Sequence, residues 1–234
     1  MMRQMMSAAC ALWLCGLSPV MAQEATSPVV VELYTSQGCS SCPPADALLA
    51  KLADQPGVIP LALHVDYWDY IGWKDEFAHP GFTKRQKAYA KAAGERMVYT
   101  PQMIVHGVVR VVGHEPEALA AAIADAAAQP GPVRLTVRRQ GGQIVIEAVA
   151  NPPLTAPAMV QLVGYRDAAN VEISDGENAG LAVEYRNIVT SWERLGVWSG
   201  QEPLSLRAPD LEGLAVVIVQ REGPAEILAA AAVE

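Results

Sequence analysis

Hydrophobic and polar positions follow one rhythm in the first part of the chain and another in the second. Val29–Tyr34 is an apolar, β-rich run with little alternation, the pattern of a strand buried on both faces. Polar residues 35–38 follow, then Cys39-Ser40-Ser41-Cys42 and Pro43-Pro44. Ala45–Ala53 has helical spacing, with Leu48, Leu49 and Leu52 on its apolar face. Proline suits the first turn of such a helix, where a missing N–H would have no intrahelical partner. Residues 54–57 end it, and Val58–Val65 predicts a second strand. A strand, helix and strand of these lengths predict a right-handed parallel βαβ unit with the cysteines at its first strand-to-helix junction.

Residues 67–98 form a polar and aromatic insert. Within it, Lys74–Phe77 predicts one helical turn, 79–81 a break, and Thr83–Gly94 a helix with Thr83 as N-cap. Met103–His106 and Val108–Val112 around Gly107 predict an antiparallel hairpin, with His106 and His114 as ordinary hairpin-side residues. Glu115–Ala128 predicts an alanine-rich helix with Pro116 in its first turn. Residues 129–132, Gln-Pro-Gly-Pro, are the evident linker.

Beyond the linker the period becomes two. Val133, Leu135 and Val137 alternate with polar neighbours, Gly141-Gly142 turns the chain, and Ile144, Ile146 and Ala148 resume the alternation. Met159–Tyr165, Ala182–Trp192, Pro203–Leu206 and Leu214–Gln220 predict further strands. With no intervening helix they indicate a half-exposed antiparallel sheet. Ile227–Val233 reads as helix by its alanines, or as a final strand that completes a sandwich.

Residues 1–22 carry a basic start at Arg3, an apolar core and a small residue at Ala22, the pattern of a cleaved secretory signal. An anchor is disfavoured because the region is short and uneven for a span, and Cys15 follows Leu14 rather than the small residue a lipoprotein needs. Without its leader the chain keeps residues 23–234, and loss of Arg3 takes the formal charge from −8 to −9. The acidic balance argues against nucleic acid and anionic membrane as partners. The expected organisation is an α/β domain over 27–129 and an all-β, sandwich-like domain over 133–234, in a periplasmic or secreted protein with no membrane span after cleavage.

Cys10 and Cys15 leave with the leader, so the mature chain holds only Cys39 and Cys42. A disulfide framework needs more cysteines, and a structural zinc site usually needs four ligands. A lone CxxC in an exported protein points to a redox pair. At a helix N-terminus, unpaired N–H groups and the dipole favour a thiolate. Cys39 at the turn is the expected nucleophile and Cys42 the resolving thiol. A structural disulfide is the competing reading.

Glu32 interrupts the first apolar strand. A buried carboxylate needs a partner, so Glu32 is either a proton acceptor near Cys42 or a strand-end carboxylate facing water. His64 and Asp66 end the second strand, and Cys39, Cys42 and His64 form a weak candidate metal set with irregular spacing. Trp68, Tyr70 and Trp73 read either as an aromatic wall that binds a peptide or small thiol together with Asp66, or as a packing plug. Pro101 starts a strand about sixty residues after the pair and by itself claims nothing.

Val31–Asp46, HVDYWDYIGWKDEFA over 64–78, YTPQMIVHG over 99–107 and YRNIV over 185–189 closely resemble the DUF1223 family, exported bacterial proteins with a thioredoxin-like domain. The resemblance covers nearly the whole mature chain. It implies a thioredoxin-like mixed sheet with flanking helices in 27–129; the 67–98 insert is longer than that fold requires, and it is expected to close over the cysteines and restrict substrates. The resemblance also implies that Thr100-Pro101 is a cis-proline loop facing Cys39 and Cys42, and that Glu32 is the counterpart of the buried acid of thioredoxins. The residue type and spacing of Glu32 depart from that pattern, and Ser40-Ser41 replaces Gly-Pro.

The function expected is periplasmic thiol–disulfide exchange with a protein or small-molecule thiol or disulfide, with no cofactor. The alternatives are a partner-binding protein that docks through its C-terminal β domain and has only a structural disulfide, or a copper chaperone.

Overall fold

The computed structural model describes residues 27–234; the expected leader, with Cys10 and Cys15, lies outside them. A mixed α/β region comes first and a β-rich region follows. The elements are β1 (Val29–Thr35), α1 (Pro43–Ala53), β2 (Val58–His64), α2 (Pro80–Ala92), β3 (Gln102–Val105), β4 (Val109–Val112) and α3 (Pro116–Ala127). Then come β5 (Val133–Gln140), β6 (Gln143–Ala150), β7 (Ala158–Glu172), β8 (Ala182–Trp198), β9 (Leu204–Pro209), β10 (Leu214–Arg221) and β11 (Ile227–Ala232). The ambiguous last segment is therefore a strand.

Strands from both sides of the linker share one sheet, in the order β11-β10-β7-β8-β2-β1-β3-β4. β1 runs parallel to β2 and antiparallel to β3. The two halves join where β2 meets β8, through a single register pair, Ala62 with Ile188. Pro60 has no N–H for that ladder. Its carbonyl is taken by the Asn187 side chain, whose Nδ2 donates at 2.8 Å.

β5, β6 and β9 make a separate three-stranded sheet. It packs on one face of the C-terminal strands, where Ile144 and Ile146 meet Val160, Leu162, Val217 and Val219. All seven residues of β1 are buried. Val29, Val31 and Leu33 face α1 and α3, while Val30 and Tyr34 face α2 and the strands β10 and β11.

Three expectations within the insert are corrected. Residues 74–77 form no helical turn; Asp75 organises them instead, its Oδ1 accepting from the Phe77 N–H at 2.9 Å. Helix α2 begins at Pro80, not Thr83, and His79 is its N-cap, with Nδ1 accepting from Gly81 N. The 79–81 "break" is thus the start of the helix, with proline where its missing N–H costs nothing. Thr83 lies one turn inside, and its hydroxyl donates to Asp66 Oδ1, two residues beyond β2.

Of the insert, α2 lies away from the cysteines, whereas Trp68 and Trp73 reach the cysteine turn. The helix covers the sheet face opposite α1, where Phe82 and Tyr89 pack on residues of both halves. Arg85 of α2 reaches Glu32 through two bonds, Nε to Oε2 at 2.7 Å and Nη2 to Oε1 at 2.8 Å. Tyr34 and Tyr89 hydroxyls also donate to the Glu32 carboxylate, at 2.9 and 2.7 Å. Arg85 further donates to Gln220 Oε1 of β10 and lies 3.8 Å over the Trp192 ring of β8. Burial is the largest single influence on the Arg85 pKa and lowers it, but the Glu32 charge, the Glu32 hydrogen bonds and the neighbouring Tyr89 and Tyr34 together outweigh it, so the net shift is upward.

Glu32 is fully buried, so removing its cation leaves an uncompensated charge. Arg85→Met is expected to cost about 3–5 kcal/mol in urea unfolding. A loss under about 1 kcal/mol would show that Glu32 is satisfied without Arg85.

Candidate active site

β1 delivers the chain to a tight polar turn. The Cys39 N–H donates to Ser36 O and the Cys42 N–H to Cys39 O, both at 3.1 Å. Cys39 and Cys42 are joined as a disulfide with their Cα atoms 5.4 Å apart. Both are buried, at 3 % and 0 % exposure, while Ser40 and Ser41 between them are exposed.

Cys42 is the N-cap of α1, with prolines in the first turn. Pro43 and Pro44 carry no N–H. The next two N–H groups, of Ala45 and Asp46, both donate to Cys42 O. The free helix-end donors expected to favour a thiolate are therefore absent or engaged, and only the dipole remains. Two hydroxyls reach the Cys39 sulfur instead. Thr100 Oγ1 donates to Cys39 Sγ at 3.2 Å, and Ser41 Oγ lies 3.5 Å from the same sulfur.

Thr100 is itself held by Trp68, whose Nε1–H donates to Thr100 Oγ1 at 2.8 Å. The Thr100–Pro101 peptide bond is cis. Pro101 is buried against Gly113 and α1: a Cβ at Gly113 would stand 2.7 Å from Pro101 Cβ and 3.0 Å from Ala45 Cβ, so only glycine permits that approach. Trp73 Nε1 donates to Gln37 Oε1 at 2.7 Å. Tyr70 is 80 % exposed and takes no part in this network. The aromatic cluster thus divides: Trp68 and Trp73 brace the cysteine turn and its neighbour Thr100, whereas Tyr70 faces water. Asp66 supports the start of the insert through Thr83 and touches neither sulfur.

Glu32 does not sit beside Cys42. It shares the α2-facing side of β1 with Tyr34 and is consumed by Arg85. The reason is strand geometry: alternate residues point to opposite faces, and α1 lies on the other one.

The carboxylate on the cysteine side is Asp46, a residue the sequence reading passed over. It is four residues after Cys42, on the same face of α1, and only 4 % exposed. The signal was present, because Cys42, Ala45, Asp46, Leu49 and Leu52 form the buried face of this helix. Thr35 Oγ1 donates to Asp46 Oδ1 at 2.8 Å, and Oδ2 has no protein partner. Burial pushes the Asp46 pKa from 3.8 up to about 7, against the opposing pull of His64 and the Thr35 hydrogen bond.

His64 pairs with Thr35 across the β1–β2 ladder. Its Nδ1 lies 2.7 Å from Asp75 Oδ2, and its ring packs edge-on against Phe77 and Tyr185. The same Asp75 oxygen accepts from Gln37 N at 2.8 Å. Among the described residues no group of three or more His, Cys, Asp or Glu is placed to hold a metal ion. His106 sits at the β3–β4 turn with φ 50°, its backbone bonded to Val30 and Ile227. Among the described residues, no helix is long and apolar enough to cross a membrane.

Fold and site together define an α/β protein with a CxxC disulfide at a strand-to-helix junction, packed against the residue before a cis-proline. The chain belongs to the DUF1223 family, described as proteins of unknown function, whose model matches residues 30–220. It is similar to the crystal structure of protein AGR_C_4864 from Agrobacterium tumefaciens, with 30% identity and a TM-score of 0.77, over 88% of this chain and 94% of that one. It also shares its fold with HBP35 of Porphyromonas gingivalis, with 14% identity and a TM-score of 0.64, over 88% of this chain and 74% of that one. No curated protein matches the sequence.

Two outcomes follow from this geometry. The folded state holds the Asp46 proton more tightly than the unfolded chain does. The contribution of Asp46 to stability is therefore greatest below the ordinary carboxyl pKa, falls as pH rises toward about 7, and then levels off. Urea unfolding over that window is expected to lose up to about 1.4 kcal/mol per pH unit from this one proton, and Asp46→Asn should remove that contribution. An identical slope in the variant would assign the titration elsewhere. Thr100→Val should raise the pKa of the reduced Cys39 thiol by up to about one unit. The check is the pH dependence of alkylation, where an unchanged profile would remove the hydroxyl from the partners of the thiolate.

Proposed function

We propose that this protein is an exported thiol–disulfide oxidoreductase with a thioredoxin-like redox domain, working through Cys39 and Cys42. The observation that carries the reading is the contact of Cys39 Sγ with Thr100, the residue preceding cis-Pro101. The order β2-β1-β3-β4, with α1 and α3 on the cysteine side, supports the thioredoxin-like assignment for residues 27–129. The packing of β5, β6 and β9 on the strands β7 and β10 supports a sandwich-like reading of 133–234.

In the oxidising direction a substrate thiolate attacks Cys39 Sγ. A substrate–Cys39 disulfide forms, the Cys39–Cys42 bond breaks, and Cys42 leaves as a thiolate that takes a proton. A second substrate thiol then displaces Cys39, so the substrate loses two electrons and the pair becomes a dithiol. In the reducing direction the Cys39 thiolate attacks a substrate disulfide, and Cys42 gives up its proton and resolves the mixed disulfide. Asp46 is the group suited to carry the Cys42 proton both ways. It lies one turn along the same helix face, and its pKa of about 7 lies between protonated and ionised forms at neutral pH. Trp68 and Trp73 hold the site, and the substrate is a protein or small-molecule thiol or disulfide.

The burial of both cysteines favours a second reading, a disulfide that braces the turn and never exchanges. Glutathione equilibration of the mature protein separates the two. Reversible exchange in the native state is expected, at a potential between about −120 and −230 mV for an oxidant or isomerase. A bond that opens only when the protein unfolds would establish the brace. With exchange shown, Cys42→Ser should accumulate mixed disulfides through Cys39, and Cys39→Ser should not.

A further inference from the structure

The cysteine turn is held from the far half of the chain. Asn178 lies in the connection between β7 and β8, more than 130 residues beyond the pair. Its Nδ2 donates to the Gln37 carbonyl at 2.8 Å and to the Cys39 carbonyl at 3.0 Å. Both protons of the amide are used, and the residue is 5 % exposed, so water competes little for either bond. The Cys39 carbonyl already accepts from Cys42 N, so the side chain fills its second acceptor position.

The connection reaches the turn because Val171, Ile173, Tyr185 and Ile188, at this end of β7 and β8, pack with Trp73 and Phe77 of the insert. Gly176 makes the approach close. Its φ is +75°, and a Cβ there would stand 3.1 Å from Trp73 Cβ.

We propose that Asn178 is a positioning residue of the redox pair, holding the backbone of 37–39 so that the two sulfurs stay within bonding reach after the disulfide is reduced. The physical reason is entropy. Ring closure in a free turn must surrender backbone freedom, and a turn already tied at two carbonyls has less to lose. Without the amide the dithiol gains freedom that the disulfide does not, so reduction becomes easier. The half of the chain carrying the β-rich region is in this way a component of the redox site. The proposal rests on the redox reading for its consequence, but its measurement does not require turnover.

The balanced reaction is the protein disulfide plus two glutathione thiols giving the protein dithiol plus glutathione disulfide. Two electrons and two protons pass to the pair. Asn178→Ala is expected to shift this equilibrium about three- to tenfold toward the dithiol, tenfold being about 30 mV. Leu181→Ala, at an exposed site in the same connection, is expected to leave it unchanged.

Urea unfolding of the oxidised protein and of the phosphine-reduced protein gives an independent reading. Asn178→Ala should cost the oxidised form more than the reduced form. Equal losses in both forms, with an unmoved equilibrium constant, would reduce Asn178 to ordinary loop packing and overturn the proposal. If Asn178→Ala folds poorly, Asn178→Ser leaves a hydroxyl for one carbonyl and should give a smaller shift of the same sign. A wild-type pair inert to glutathione would sink the oxidoreductase reading, while the two unfolding measurements would still decide the role of Asn178.

Discussion

The Glu32 carboxylate is shut away from water, and the guanidinium that answers it comes from a helix fifty-three residues further along the chain. That pair joins the parts of the protein. β1 carries the acid and α2 the base, and the base also reaches Gln220 of β10 and the Trp192 ring of β8. A buried charge cannot be left alone, so α2 must dock where all of these partners meet. The docking helix bridges the two sets of strands on the face away from the cysteines. The β2–β8 seam is weak as a ladder, with Pro60 lacking a donor, and packing under α2 spans the same seam.

The opposite face is built from hydroxyl, carboxyl and imidazole side chains. Thr35, Asp46, His64 and Asp75 surround the base of the cysteine turn, and Gln37, Asp46 and His64 each keep one buried polar atom without a protein partner. Buried polar groups left unsatisfied are costly, so they are informative where they cluster. One face of β1 thus spends its buried charge on holding the fold together. The other faces α1, whose Asp46 carboxyl is buried on the same helix face as Cys42. The same strand separates the two environments by the alternation of its side chains.

Much of the first region was legible in the sequence because its patterns are local. The apolar run of β1, the prolines opening α1, the hairpin around Gly107 and the alternation after residue 132 each report on their own neighbours. The departures from the sequence reading have separate causes. Glu32 fits neither reading its sequence position allows, because strand parity turns it away from Cys42 and α2 covers it from water. Thr83 looked like a helix cap because capping residues and residues that bond a neighbouring strand are chemically the same. The helix-end donors were credited to α1 although two of its first-turn residues are prolines. Asp46 was readable from its spacing to Cys42 and Leu49, but it was hidden among apolar neighbours.

The sequence by itself determined most of the elements, where the cysteines lie between a strand and a helix, and which family motifs surround them, because periodicity, proline and turn chemistry act over a few residues. Only the tertiary structure decided that Glu32 is answered by Arg85 and which hydroxyls touch Cys39. It also decided that Asn178 reaches the turn from the second half of the chain. Those are contacts between residues dozens to more than a hundred positions apart. They exist because burial forces each polar group to find a partner wherever the packed sheet has brought one.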